Sequence, residues 1–113
     1  MPPRSEKHRL QDIVEMIDRV YSHTRGNLRV ALEDGLVRDA VLYDLTIVGK
    51  AAKHVSDDMR RRAPEVNWSG AAGLRDVLIH RYYRTDMEVV IALDDVLRAT
   101  KAGIERLLQE LDE

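Results

Sequence analysis

The chain contains no cysteine. That absence excludes disulfides, thiolate metal sites and a cysteine nucleophile, and it agrees with a reducing compartment, so a cytoplasmic location is the default expectation. Long apolar runs are missing too. No stretch approaches the roughly eighteen consecutive apolar residues that span a bilayer, and the opening MPPRSEKHRL has no apolar h-region of the kind a secretory signal needs. Charge of one sign is not in excess either: the formal net charge of −2 gives no blanket cationic surface, so a nucleic-acid partner would have to meet a local basic patch. Missing motifs narrow the chemistry further. There is no H-E-x-x-H, EF-hand loop, Walker loop, G-x-S-x-G elbow or glycine-rich dinucleotide turn. The pairs Asp57-Asp58 and Asp94-Asp95 splay apart on a helix, so the carboxylates offer no metal signature, and neither a metal nor a cofactor is expected.

What the chain does carry is helical periodicity. Leu10, Ile13, Val14, Ile17, Val20, Tyr21 and Thr24 recur in helical steps, with Ser5 placed to cap the start and Gly26 to stop the end. A second helix is predicted from near Asp34 to about Arg62, where Val37, Val41, Leu45, Val48, Ala52, Val55 and Met59 repeat until Pro64 ends the run. Beside that stripe lies another, Leu36, Ala40, Tyr43, Ile47 and Ala51, which puts this helix at the centre of a bundle or in a subunit interface. Gly49 within it costs about 1 kcal/mol relative to alanine, which predicts a close helix contact there. The turn-rich APEVNWSGAAG lets Asn67 or Ser69 cap a third helix, and Thr85 with Glu88 forms the T-x-x-E box of a fourth. Val90, Leu93, Leu97, Thr100, Ile104, Leu107 and Leu111 then supply a seam for close antiparallel or coiled packing. No alternating run suggests a strand. The expectation is an all-α, up-and-down four-helix bundle in which residues 1–113 form a single helical domain.

One stretch departs from this plain pattern. GLRDVLIHRYYRTD, residues 73–86, crowds Arg75, Asp76, His80, Arg81, Tyr82, Tyr83 and Arg84 onto the third helix. Three arginines against one aspartate make it locally basic, so Arg81 and Arg84 are candidates for contact with RNA phosphates. On an ideal wheel Arg75 falls within the apolar arc, where a guanidinium has to be paired or face a cleft. Asp76 and His80 stand at i and i+4, close enough for the carboxylate to orient the imidazole. His80 lies roughly 140° from Arg75 at about 100° per residue, so one straight helix cannot aim both at a small substrate. Either the helix loosens near His80, or two chains contribute to one cleft. Histidine moves protons near neutrality and arginine forks onto phosphate oxygens, a combination suited to cleavage of RNA by its own 2′-hydroxyl: His80 as acid or base, Arg75 stabilising the charge on the phosphorane.

The order Arg75, four residues, His80, one residue, Tyr82 resembles the R-x4-H-x-Y motif of HepT-like toxins in the HEPN superfamily. The resemblance covers nearly the whole chain. PEVNWSGAAGLRDVLIHRYYRTD resembles that family's proline, tryptophan, Gly-(Met/Leu)-Arg-(Asn/Asp) and apolar pair before the histidine, and LTIVGKAAKHV resembles its Ile-Gly-Glu segment. The resemblance implies a homodimer, open to higher assembly with its partner, whose two motifs face a shared cleft and act as a metal-independent ribonuclease. It implies the toxin of a toxin–antitoxin pair. Arg75 and His80 are then the catalytic pair with Asp76 in support, and Tyr82 is the tyrosine that a minimal nucleotidyltransferase antitoxin of the MntA type modifies with AMP. A second reading keeps the bundle and dimer but makes the chain a catalytically silent scaffold or substrate platform for a nucleotidyltransferase. The chain departs from the family pattern at Lys50, where glutamate often follows the glycine, and at Arg81, where an acidic residue is common.

Other polar residues have plainer readings. Trp68 reads as a core plug under a loop, Tyr21 and Tyr43 as core or interface, and His8, His23 and His54 as scattered surface residues. Arg60, Arg61 and Arg62 are partly offset by Asp57 and Asp58 and fit a solvated helix end as well as a binding patch.

Overall fold

The computed structural model describes residues 5–79 and 86–112. Helix α1, Glu6–His23, starts where its cap starts: the Ser5 hydroxyl accepts from the His8 amide at 3.1 Å. It stops as predicted near Gly26, which takes the left-handed region with φ 80° and donates its amide to Tyr21 O at 2.8 Å. A short α2, Val30–Glu33, follows. The Asp34 carboxylate then accepts from the amides of Leu36 and Val37 and opens α3, Gly35–Lys53.

The predicted single helix from Asp34 to Arg62 is broken in the structure. It ends at the His54 cap, and α4, Asp57–Arg62, restarts under a new cap, with the Ser56 hydroxyl accepting from Met59 N at 3.3 Å. A serine side chain that can serve as a cap competes with the helix interior, and here it wins. Arg60 completes the break by donating through Nη2 to the carbonyls of Ala52 and Lys53 at the end of α3. The third predicted helix is likewise divided. Asn67 caps α5, Trp68–Ala72, by accepting from Gly70 N, and after Gly73 the chain resumes as α6, Leu74–Ile79. The last helix, α7, runs Asp86–Leu111. The described residues thus form seven helical segments and no strand, an all-α fold.

α1 is antiparallel to both long neighbours. Its start meets the end of α3 through Arg9 and His54 O (3.1 Å) and its end meets mid-α3 through His23 and Asp44. Towards α7 the pairs run Lys7–Asp112, Asp18–Lys101 and Tyr21–Asp94. The core between them is built from the predicted stripes: Leu10, Ile13, Ile17 and Val20 from α1, Val41, Leu45, Val48 and Ala52 from α3, and Leu93, Leu97, Ile104 and Leu107 from α7. α3 packs against α1, α2, α5 and α6, the central position that its wide apolar arc predicts. Of its second stripe, Leu36 and Tyr43 remain exposed while Ala40, Ile47 and Ala51 are half-buried.

Two glycines allow close approach. A Cβ at Gly49 would lie 2.9 Å from the carbonyl oxygen of Ala72, so the end of α5 rests directly on α3. At Gly103 on α7 it would lie 2.4 Å from Cγ2 of Val66. The close contact predicted at Gly49 is therefore present, with α5 as the neighbour.

Candidate active site

α6 has six residues, and of these Leu74 and Leu78 are buried. That anchors the segment and turns its first polar pair, Arg75 and Asp76, outward. The wheel reading that placed Arg75 inside an apolar arc is corrected: its side chain is 52% exposed. The reason is the break at Gly73, which takes Ala71 off the helix that carries Arg75 and narrows the buried arc of α6.

Arg75 nonetheless lines a cleft. A groove of about 180 Å³ lies between α3 and the α5–α6 corner, lined by Thr46, Gly49, Lys50, Lys53, Arg75 and Asp76 among others. Thr46, Gly49, Lys50 and Lys53 stand at i, i+3, i+4 and i+7 of α3, one face of the helix. Gly49 forms the floor where Ala72 approaches. Three cations meet one carboxylate here, and that carboxylate is held loosely, with Arg75 Nη1 3.9 Å from Asp76 Oδ1. Such a surface suits a polyanion: an exposed guanidinium with a weak intramolecular partner keeps its donors for phosphate oxygens.

The structure thus brings Arg75 and Asp76 together at a basic groove. His80, Arg81, Tyr82 and Arg84 lie outside the described residues, as does Thr85 of the predicted capping box. Sequence reading noticed Lys50 as a departure but missed Lys53; the signal was the i, i+3 spacing of two lysines on the face that carries Gly49. Among the described residues, no three His, Cys, Asp or Glu side chains assemble a metal-ligand set.

Other residues take structural roles. Trp68 is half-buried against the core and donates from Nε1 to Ala63 O at 3.2 Å, the plug reading rather than a stacking platform. Tyr21 donates to Asp94 Oδ1 at 2.6 Å beneath the Arg98 guanidinium, and burial, with help from Asp94, pushes its phenol well above its ordinary value. His23 is more than a surface residue. Its Nδ1 lies 2.8 Å from Oδ2 of the fully buried Asp44, whose Oδ1 is 3.3 Å from Arg19 Nε. Burial raises the Asp44 pKa, against the opposing pull of His23 and Arg19.

The amino-acid sequence matches the family model for HepT-like ribonucleases over residues 10–111. The chain belongs to the HepT-like ribonuclease family. A Thermococcus cleftensis protein with the name "Probable ribonuclease HepT" is 37% identical over 91 residues, 77% of this chain and 80% of that protein. A Methanocaldococcus jannaschii protein, named as a candidate RNase, is 32% identical over 104 residues, 89% of this chain and 95% of its own length. A third, from Caldanaerobacter subterraneus and also named as a candidate RNase, is 29% identical over 84 residues, 74% of this chain and 72% of that protein. No solved structure matches the chain significantly. The all-α architecture of this HepT-like chain agrees with a HEPN-like fold, and among its described residues no helix is long and apolar enough to cross a membrane.

Proposed function

We propose that this HepT-like chain is a metal-independent RNA endonuclease, the toxin of a toxin–antitoxin pair, built as one helical domain of the four-helix HEPN type and active as a homodimer. The observation that carries this reading is Arg75, exposed on a basic groove five residues before His80 in the order of the family motif. Arg75 donates to the non-bridging oxygens of the scissile phosphate. His80 takes the proton of the 2′-hydroxyl as its oxygen attacks phosphorus, or gives a proton to the departing 5′-oxygen; with two motifs facing one cleft, the two histidines divide these tasks. The P–O5′ bond breaks, leaving a 2′,3′-cyclic phosphate and a 5′-hydroxyl. Asp76 supports the pair, and Arg81 and Arg84 hold flanking phosphates.

Control falls to Tyr82. Transfer of AMP onto its hydroxyl by a nucleotidyltransferase antitoxin of the MntA type adds bulk and negative charge beside a phosphate-binding cleft and blocks RNA. Two solution properties belong to the same reading: a cytoplasmic protein, and no cofactor.

Purified protein incubated with RNA in excess EDTA tests the activity. Cleavage with cyclic-phosphate ends is expected, and it is expected to vanish in His80→Ala; undiminished cleavage by that variant, or none by the wild type, removes the nuclease. Mass spectrometry after incubation with antitoxin and ATP should find one adenylate per chain on Tyr82, and modification elsewhere would refute that assignment.

A further inference from the structure

Lys50 belongs to two grooves at once. On one side is the groove that holds Arg75; on the other, a groove of about 280 Å³ runs between α3 and the start of α1, lined by Arg9, Asp12, Ile47, Lys50, Ala51 and His54. The two are neighbouring faces of α3 that share one residue: Thr46, Gly49, Lys50 and Lys53 on the first, Ile47, Lys50, Ala51 and His54 on the second. Lys50 and Lys53 are exposed, and among the described residues neither has a carboxylate within ion-pair distance.

A structural role for these lysines would be to offset the negative end of α3, since both stand in its last turn. That end is already served. Arg60 donates to the carbonyls of Ala52 and Lys53, Arg9 donates to His54 O, and His54 Nδ1 lies 2.8 Å from Lys50 O. Two guanidiniums therefore hold the helix terminus, and among the described residues no carboxylate claims the ammonium groups. Elsewhere the chain pairs exposed cations: Lys101 with Asp18, Arg98 with Asp94, and Arg106 with Glu65 and Glu110. Arg25, Arg29 and Arg38 share with Lys50 and Lys53 the lack of an ion-pair partner among the described residues, but of these five cations it is the two lysines that line the groove of Arg75.

We propose that Lys50 and Lys53 form a phosphate-binding ridge that carries single-stranded RNA away from Arg75 and across α3 towards Arg9 and His54. The inference rests on the ribonuclease reading and adds to it a path for the strand outside the motif. Ammonium groups bind successive phosphates as point charges without reading bases, so the ridge supplies affinity and register rather than sequence preference. It acts on binding, away from the reacting atoms.

The test is fluorescence anisotropy with a labelled 2′-O-methyl oligoribonucleotide, which lacks the attacking hydroxyl, titrated from about 50 to 200 mM salt. Wild type is compared with Lys50→Gln, Lys53→Gln, the double Gln variant, the double Arg variant and Lys101→Gln. Each Gln change is expected to weaken binding roughly three- to tenfold and to lower the log–log salt slope by about 0.7, the double by about 1.4. The double Arg variant should recover most of the affinity, and Lys101→Gln should match wild type. In cleavage assays the Gln variants should raise KM and leave kcat within about twofold. Unchanged affinity and slope in the double Gln variant, with thermal unfolding like wild type, overturns the ridge while cleavage by the wild type keeps the nuclease. Lysine-dependent binding by a wild type that never cleaves RNA supports the ridge and removes the nuclease. A fall in Tm that Arg does not reverse, with the slope intact, assigns the lysines to the helix end and overturns the proposal.

Discussion

Arg75 and Asp44 are charged residues on helices, and their surroundings give them opposite uses. Arg75 is exposed, with one loose partner among the described residues, so its removal should leave stability within about 0.5 kcal/mol. Cleavage should suffer far more: loss of a donor aimed at developing transition-state charge lowers kcat by about 10²–10³. Parallel kcat and unfolding measurements on Arg75→Ala check this, and a large fall in Tm would make Arg75 structural instead. Asp44 is fully buried against His23 and Arg19. Burial raises its pKa, so the folded chain keeps a proton that the unfolded chain has released. Its contribution to stability is therefore greatest below the unfolded value, about 3.9, and declines as pH climbs to the raised folded value. Asp44→Asn removes that titration. The stability of wild type minus that of Asp44→Asn should decrease with rising pH across this window, measured by denaturant unfolding at several pH values; a flat difference would contradict the account.

At the scale of elements, caps and glycines decide where helices stop and touch. Apolar repeats described the core faces of α1, α3 and α7 well, because burial selects residues at helical spacing and that spacing is visible in one dimension. They did not reveal the breaks at His54–Ser56 and at Gly73. Val55 and Met59 still pack inward across the first break, so the repeat continues although the backbone does not. Gly49 shows the same limit: its presence predicted a contact, but Ala72 as the neighbour is a matter of three dimensions. Gly49→Ala would gain about 1 kcal/mol in helix propensity and lose about 1–3 kcal/mol to overpacking against a backbone carbonyl that cannot swing aside. A net loss is expected, together with weaker RNA binding as the α5–α6 corner lifts from the groove. A variant that melts higher than wild type would show that the corner yields freely.

For the whole molecule, an ideal helix turns positions 75 and 80 apart, and the proposed homodimer with facing motifs would bring Arg75 and His80 to one phosphate; the exposed Leu36 and Tyr43 on the outer stripe of α3 are apolar surface that such an interface would cover. Mixed dimers provide the test. Arg75→Ala and His80→Ala subunits are each expected to be inactive alone, and a mixed dimer retaining one arginine and one histidine in the shared cleft should regain a measurable part of the cleavage rate. Full activity in a species that light scattering shows to be monomeric would exclude the composite site.

The sequence by itself determined the helical class, the three long apolar faces, the cap at Ser5, a helix start near Asp34 and the motif order through Arg75, and it narrowed the cap of the third helix to Asn67 or Ser69, because each depends on residues within a few positions of one another. Only the tertiary structure decided that Arg75 points outward, that Lys53 shares its groove, that His23 covers a buried Asp44, and that α3 is broken before α4. Those outcomes depend on which segments meet across the core, and neighbours in space set the exposure and the electric field at a side chain whatever their separation along the chain.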